Sequence, residues 1–118
     1  MLNRRLQTLP LEPVSHNPLA QKQVWFRKGE LPPFTQIARA VLPPGETCPA
    51  HTHADMPELF IALEGDALLT IDGKPHTLHP GDALLVHPGE SHELTNPTPR
   101  PITLLVASWL PSQIASLA

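Results

Sequence analysis

His51 and His53 flank a single threonine, and residues two apart in an extended strand point to one face of it. Two imidazoles so placed can grip one metal ion. Glu58 follows after Ala-Asp-Met-Pro, a turn-like stretch able to fold the carboxylate back toward the pair. His92 comes much later, just beyond the Pro88-Gly89 turn. Three imidazoles and one carboxylate make a good donor set for manganese, iron, cobalt, nickel, copper or zinc. An H-x-H pair by itself is more often a surface feature than a pair of ligands, so the assignment depends on what surrounds it.

The elements that must position these residues read as short strands. Phe34–Leu42 alternates with Ile37, Arg39 and Val41 on one face, and Pro43-Pro44-Gly45 ends it. Further strand-like runs are Gln23–Lys28, Pro57–Glu64, Ala67–Ile71, His76–Leu78, Ala83–Val86, the segment 91–95 and Ile102–Trp109. Turn residues separate them, and Asp72-Gly73 predicts a type I′ hairpin. Sixteen prolines exclude long helices; only Ser112–Leu117 reads as a helical turn. Evenly spaced short strands point to an antiparallel sandwich or barrel. Several strands are apolar on both faces, as expected where one face lines a barrel and the other is covered by another sheet.

Two stretches resemble the motifs of the cupin superfamily. Gly45 to Gly65 reads GETCPAHTHADMPELFIALEG and resembles G-x5-H-x-H-x3,4-E-x6-G, with Gly45, His51, His53, Glu58 and Gly65 at the fixed positions. Gly81 to Asn96 reads GDALLVHPGESHELTN and resembles G-x5-P-x-G-x2-H-x3-N through Gly81, Gly89, His92 and Asn96. His87 stands where that motif has proline, with Pro88 directly after it. The resemblance implies an all-β fold, a double-stranded β-helix or jelly-roll barrel, preceded here by an N-terminal arm. It also implies that His51, His53, Glu58 and His92 hold one divalent transition metal. The expected division is an arm and first strand over residues 1–33, a barrel over 34–110 and a tail over 111–118.

Other polar residues are candidates for chemistry or for none. His87 either faces the cavity as an acid/base group or lies on the rim. Gln36 and Arg39 interrupt an apolar strand; Arg39 either points inward to clamp a substrate carboxylate or lies outward in solvent. Cys48 falls on the face opposite the histidines of a regular strand and reads as a buried, inert thiol, unless Pro49 disturbs the alternation. His76 and His79 flank a hairpin and are expected in solvent, and His16 reads as part of the arm without a role.

Composition narrows the partners. A net charge of −3, no tyrosine, three phenylalanines and two tryptophans leave little for nucleic-acid or anionic-lipid binding. No apolar run reaches the ~20 residues of a membrane span. Gln7, Pro10 and Glu12 interrupt what would be the apolar part of a signal peptide. One unpaired cysteine fits a reducing compartment, and the expectation is a cytoplasmic protein. The functional expectation is a metal-dependent enzyme, a dioxygenase-type oxidoreductase or an isomerase/lyase, acting on a small oxygenated metabolite. The alternative is a non-catalytic module that senses a metal or small ligand. A homodimer is expected, because the arm and Gln23–Lys28 can cover an exposed sheet edge.

Overall fold

The computed structural model describes residues 1–114, so the last part of the expected helical turn and tail lies outside the described residues. Ten strands form it: β1 Glu12–Val14, β2 Asn17–Leu31, β3 Phe34–Leu42, β4 Thr47–His51, β5 Glu58–Glu64, β6 Ala67–Ile71, β7 Lys74–Leu78, β8 Ala83–Val86, β9 His92–Thr95 and β10 Ile102–Trp109. They build a six-stranded sheet in the order β1-β2-β3-β10-β5-β8 and a four-stranded sheet in the order β4-β9-β6-β7. From β3 onward this is a jelly roll: apart from the β6–β7 hairpin, successive strands cross between two four-stranded sheets, and every pairing is antiparallel. The β1–β2 hairpin extends the larger sheet.

Period-2 alternation decides what lies between the sheets. Across the larger sheet Ala38, Val106, Phe60 and Leu84 stand in one register row and face inward. Leu69, Ile71, Leu94 and Cys48 meet them from the smaller sheet, and together they form one core. The alternate rows, Ile37–Ala107–Leu59–Leu85 and Arg39–Leu105–Ile61–Ala83, lie on the outer face. That face is largely apolar although no sheet among the described residues covers it.

The strand bounds of β3, β6, β8 and β10 are those the sequence predicts, and those of β5 and β9 differ by one residue at the start. The N-terminal region differs more. Residues 12–31 form a hairpin integral to the sheet rather than an arm followed by one short strand. Register shifts between Val24 and Phe26, and between Arg27 and Leu31, break the alternation of β2 and hide it from a periodicity reading. Residues before β1 pack on through Gln23, whose Nε2 donates to the carbonyls of Leu6 (2.9 Å) and Leu9 (3.0 Å).

Two devices fix the turns that end at the cavity. Asp72 and Gly73 both have positive φ, 48° and 80°, as a type I′ turn requires. Asn96, fully buried, is saturated: its amide nitrogen donates to the carbonyls of Leu42 (3.0 Å) and Arg100 (2.7 Å), and its Oδ1 accepts from Thr98 N (2.9 Å) and Oγ1 (2.7 Å). Its backbone exchanges bonds with Gly45 and Glu46, so it ties the β3–β4 turn to the end of β9.

Gly65 and Gly45 have nearly equal φ, 74° and 75°, but different surroundings. A Cβ at Gly65 would sit 2.7 Å from Ile102 Cγ2, whereas at Gly45 it would meet open space. Gly45→Ala is therefore expected to cost only the left-handed strain, about 1 kcal/mol. Gly65→Ala adds overpacking against a fully buried isoleucine and should cost about 3 kcal/mol. Urea denaturation of the two variants checks the difference; equal losses would contradict the packing account.

Candidate metal centre

His51 is the last residue of β4 and His92 the first of β9, and the two are register partners. Their rings therefore lie close together, with centroids 4.1 Å apart and planes tilted by 57°. His53 lies beyond the end of β4, in the loop to β5, so strand parity does not place it. Its carbonyl accepts from Gly89 N at 2.8 Å, which anchors this loop to the turn preceding His92. The His53 ring stands 5.0 Å from that of His51 and 5.3 Å from that of His92. Glu58 opens β5, on the opposite sheet, and sends its carboxylate across the gap. One donor atom from each of the four residues lies within 4.8 Å of the others, so the group can hold a metal ion.

Hydrogen bonds prepare these donors. His51 Nδ1 donates to Pro49 O (3.0 Å) and His92 Nδ1 to Glu90 O (3.3 Å). Each bond fixes a tautomer that leaves the Nε2 lone pair free, as metal-ligating histidines require. His53 Nε2 donates to Glu58 Oε2 at 3.1 Å. His92 Nε2 lies 3.4 Å from the same oxygen but is buried without a hydrogen-bond partner among the described residues. A buried polar atom left unpaired is costly. An ion bound among the four residues would satisfy it, and this is the test that the donor set passes.

Without metal, the electrostatics pull in opposite directions. Burial pushes the Glu58 carboxyl up, but the imidazoles around it, His92 foremost, outweigh burial and hold it below its ordinary value. Burial likewise pulls His92 down, but Glu58 and the Glu90 carbonyl leave it above the ordinary histidine value. For His51 burial wins and the pKa falls.

The four side chains sit in the wall of a cavity of about 340 Å³ between the sheets. Its lining is mainly apolar and includes Ala38, Leu42, Phe60, Leu94 and Val106. Neither of the remaining candidates lines it. Arg39 belongs to the outer row of β3, opposite in parity to Ala38 and Ala40, and its guanidinium reaches Gln23 Oε1 at 3.4 Å. His87 is exposed on the turn before β9, where its amide donates to Glu90 Oε1 (2.7 Å). The turn thus supports His92 through backbone and Glu90, and the His87 side chain points to no cavity group. His76 and His79 are exposed, as expected, and His79 Nδ1 donates to Asp66 Oδ1 (2.9 Å).

Two residues read as incidental in sequence line the cavity. Cys48 does so because a register shift between Cys48 and His51 breaks the parity that would turn it away. The residue is 8% exposed, and burial, with Glu46 and Glu58 nearby, pushes the thiol pKa up. His16 occupies the β1–β2 turn with φ 73°, and its ring comes 5.5 Å from that of His51. Asn17 holds this turn down, donating from Nδ2 to Thr47 O (2.9 Å) and Glu46 Oε2 (3.1 Å). The Ser-His-Asn-Pro turn between two strand-length segments was the available signal, but β1 is too short to be recognised as a strand.

A jelly roll enclosing three histidines and a glutamate defines the class as a small β-barrel protein with a candidate metal centre. The family model of the cupin domain matches residues 38–108, and the chain belongs to that family. It is 29% identical over 75 residues to an uncharacterized protein of Methanocaldococcus jannaschii, across 64% of this chain and 60% of that one. It is 40% identical over 52 residues to the dimethylsulfoniopropionate lyase DddW of Ruegeria pomeroyi, across 44% of this chain and 33% of the lyase. The chain thus matches less than two thirds of the length of either relative. Among solved structures, one from Thermotoga maritima described as a predicted oxalate decarboxylase superposes with a TM-score of 0.85 at 23% identity, covering 92% of this chain and 99% of that one.

The pKa directions give a pH test on metal-free protein. The raised His92 stabilises the fold fully below its unfolded value near 6.5, and this is lost as pH rises through the folded value. The lowered Glu58 stabilises above its unfolded value near 4.5, and this is lost as pH falls through the folded value. The pair therefore acts together between those two values. In a histidine NMR titration, the His92 midpoint should lie above the ordinary value and above that of His51. Glu58→Gln should drop it below the ordinary value, since burial then dominates. An unchanged midpoint would contradict the pairing.

Proposed function

We propose that this cupin is a metal-dependent enzyme, an oxygenase or an isomerase/lyase, that converts a small oxygenated metabolite. The single observation that carries this reading is the buried Nε2 of His92, without a hydrogen-bond partner among the described residues, beside Glu58 Oε2 and within reach of two further imidazoles. His51, His53, Glu58 and His92 would hold one divalent ion from the set manganese, iron, cobalt, nickel, copper and zinc. Such an ion supplies Lewis-acid polarisation of a bound oxygen and, where it is redox-active, access to dioxygen chemistry.

The chain's own residues do the rest. The Nδ1 bonds to Pro49 O and Glu90 O orient two of the three rings before any ligand arrives. His53 Nε2 and Glu58 Oε2, now hydrogen-bonded to each other, would both be needed to hold the ion, so loading would require the ring proton of His53 to sit on Nδ1 instead. The apolar walls, Phe60, Leu94 and Val106 among them, keep water from the ligand and strengthen electrostatics within the site. The partial likeness to a lyase supports the isomerase/lyase branch of this reading.

We also infer a homodimer, located in the cytoplasm. The outer face of the larger sheet supports the dimer: Ile37, Leu59, Ile61 and Leu105 are only partly covered, and Leu63 and Leu85 are 44% and 42% exposed. An apolar surface of that extent is a contact surface in soluble proteins, and a second copy offers the same surface by two-fold symmetry. The free thiol of Cys48 is consistent with a reducing compartment. No helix among the described residues is long and apolar enough to cross a membrane.

Two experiments test these readings. Metal-loaded protein screened against small oxygenated acids, by oxygen electrode and product NMR, should turn over at least one. His92→Ala should remove turnover by at least about a hundredfold while circular dichroism stays that of the wild type. Ligand binding without consumption across the screen would replace the enzyme with a sensing module. For the dimer, sedimentation should give twice the chain mass for wild type at micromolar concentration and the chain mass for Ile61→Glu. A monomeric wild type would overturn it.

A further inference from the structure

The inward row of β2 runs Ala20, Lys22, Val24, and its two flanking members are 2% and 6% exposed. Lys22 stands opposite Ala40 of β3, in the inward row, and lines the same cavity as the four candidate ligands. It is the only lysine or arginine in that lining. A cation inside an otherwise apolar row breaks the pattern that builds the barrel, and such breaks concentrate at functional sites.

The partners of Lys22 sharpen the point. Its ammonium donates to Gln36 Oε1 at 2.7 Å, and Gln36 also lines the cavity. No carboxylate among the described residues lies within ion-pair distance of it. Glu12, its register partner on β1, is held by both guanidinium nitrogens of Arg27. The bond to Lys22 turns the Gln36 oxygen toward the ammonium, and its NH2 has no acceptor among the described residues. Two further ammonium hydrogens and this NH2 are left as adjacent donors on a half-buried stretch of the cavity wall.

We propose that Lys22 and Gln36 form a clamp for a carboxylate of the substrate, whose other end reaches the His51, His53, Glu58 and His92 cluster. This rests on the reading of that cluster as a metal site. One unit of positive charge beside one neutral amide matches a carboxylate: each donor meets one oxygen, and the charge is balanced. A phosphate dianion would leave one charge uncompensated in an apolar wall. The clamp and the cluster lie on different strands of the cavity wall, so a ligand bound at both carries two polar ends. This deepens the proposed function by naming the substrate class as a carboxylic acid with a second oxygen function.

The probe is malonate, with its neutral counterpart malonamide and inorganic phosphate as controls. Manganese is titrated by calorimetry into wild type, Lys22→Met and Lys22→Arg, and the three probes into the loaded and the metal-free proteins. Manganese affinity should agree within about twofold among the three proteins, since Lys22 is not a ligand. Malonate should bind loaded wild type, and at least about tenfold more weakly to Lys22→Met, the loss expected for a charge-assisted hydrogen bond. Lys22→Arg should keep most of the affinity. Malonamide should bind weakly and without regard to Lys22. Equal malonate affinity in wild type and Lys22→Met, or no malonate binding to loaded wild type, overturns the clamp. Tighter Lys22-dependent binding of phosphate than of malonate overturns the carboxylate assignment. If wild type takes no manganese, the metal reading fails by itself. The clamp is then judged on the metal-free pair, where a Lys22-dependent malonate affinity upholds it and its absence overturns it.

Discussion

A carboxylate from one sheet meets three imidazoles from the strands and loop of the other, inside a barrel whose wall is mainly apolar. Glu58 belongs to the larger sheet; His51 and His92 belong to the smaller one, and His53 to the loop between them. Burying that carboxylate is tolerable only because the imidazoles compensate it. Bringing His51 and His92 together in turn requires the observed β4–β9 register, since a slip of β4 by one residue would turn the His51 ring to the other face. Asn96 holds that register from the far end of β9, and the Glu90 and Gly89 contacts hold it at the near end.

The same constraint explains why so much of the chain is turn. Strands β4 to β9 are short, four to seven residues, and all the connections between them except the β6–β7 hairpin cross from one sheet to the other. The polar groups that close the turns are themselves the supports of the centre. Pro49 O orients His51, Glu90 O orients His92, and Gly89 N holds the His53 loop. The β1–β2 hairpin adds the remaining wall. Asn17 pins it to β4, which brings His16 beside His51 and turns Lys22 toward the cavity.

The cluster of three histidines and a glutamate was legible in sequence because its members lie at fixed spacings within two short motifs whose turns are marked by glycine and proline. The alternation of Phe34–Leu42 and Ile102–Trp109 was legible for a different reason: both strands run in register with few bulges. Where register shifts occur, parity misleads. Cys48 is the clearest example: counted along a regular strand it faces away, but the irregularity before His51 brings it to the cavity wall. His53 converges with His51 through a loop rather than through strand parity. Arg39 was ambiguous because both faces of β3 are apolar, and only the pairing to β10 assigns its side. Of β2 only the stretch Gln23–Lys28 was legible; His16, Lys22 and the start of the strand stayed hidden because the hairpin that carries them is three residues long on one side and bulged on the other.

The central claim is that one ion sits on His51, His53, Glu58 and His92. X-ray absorption spectroscopy of the protein loaded with one equivalent of cobalt(II) tests it most directly. The account predicts a nitrogen/oxygen shell with multiple-scattering features of about three imidazoles, reduced to about two in His92→Ala. A spectrum without imidazole scattering, or one that His92→Ala leaves unchanged, would contradict it.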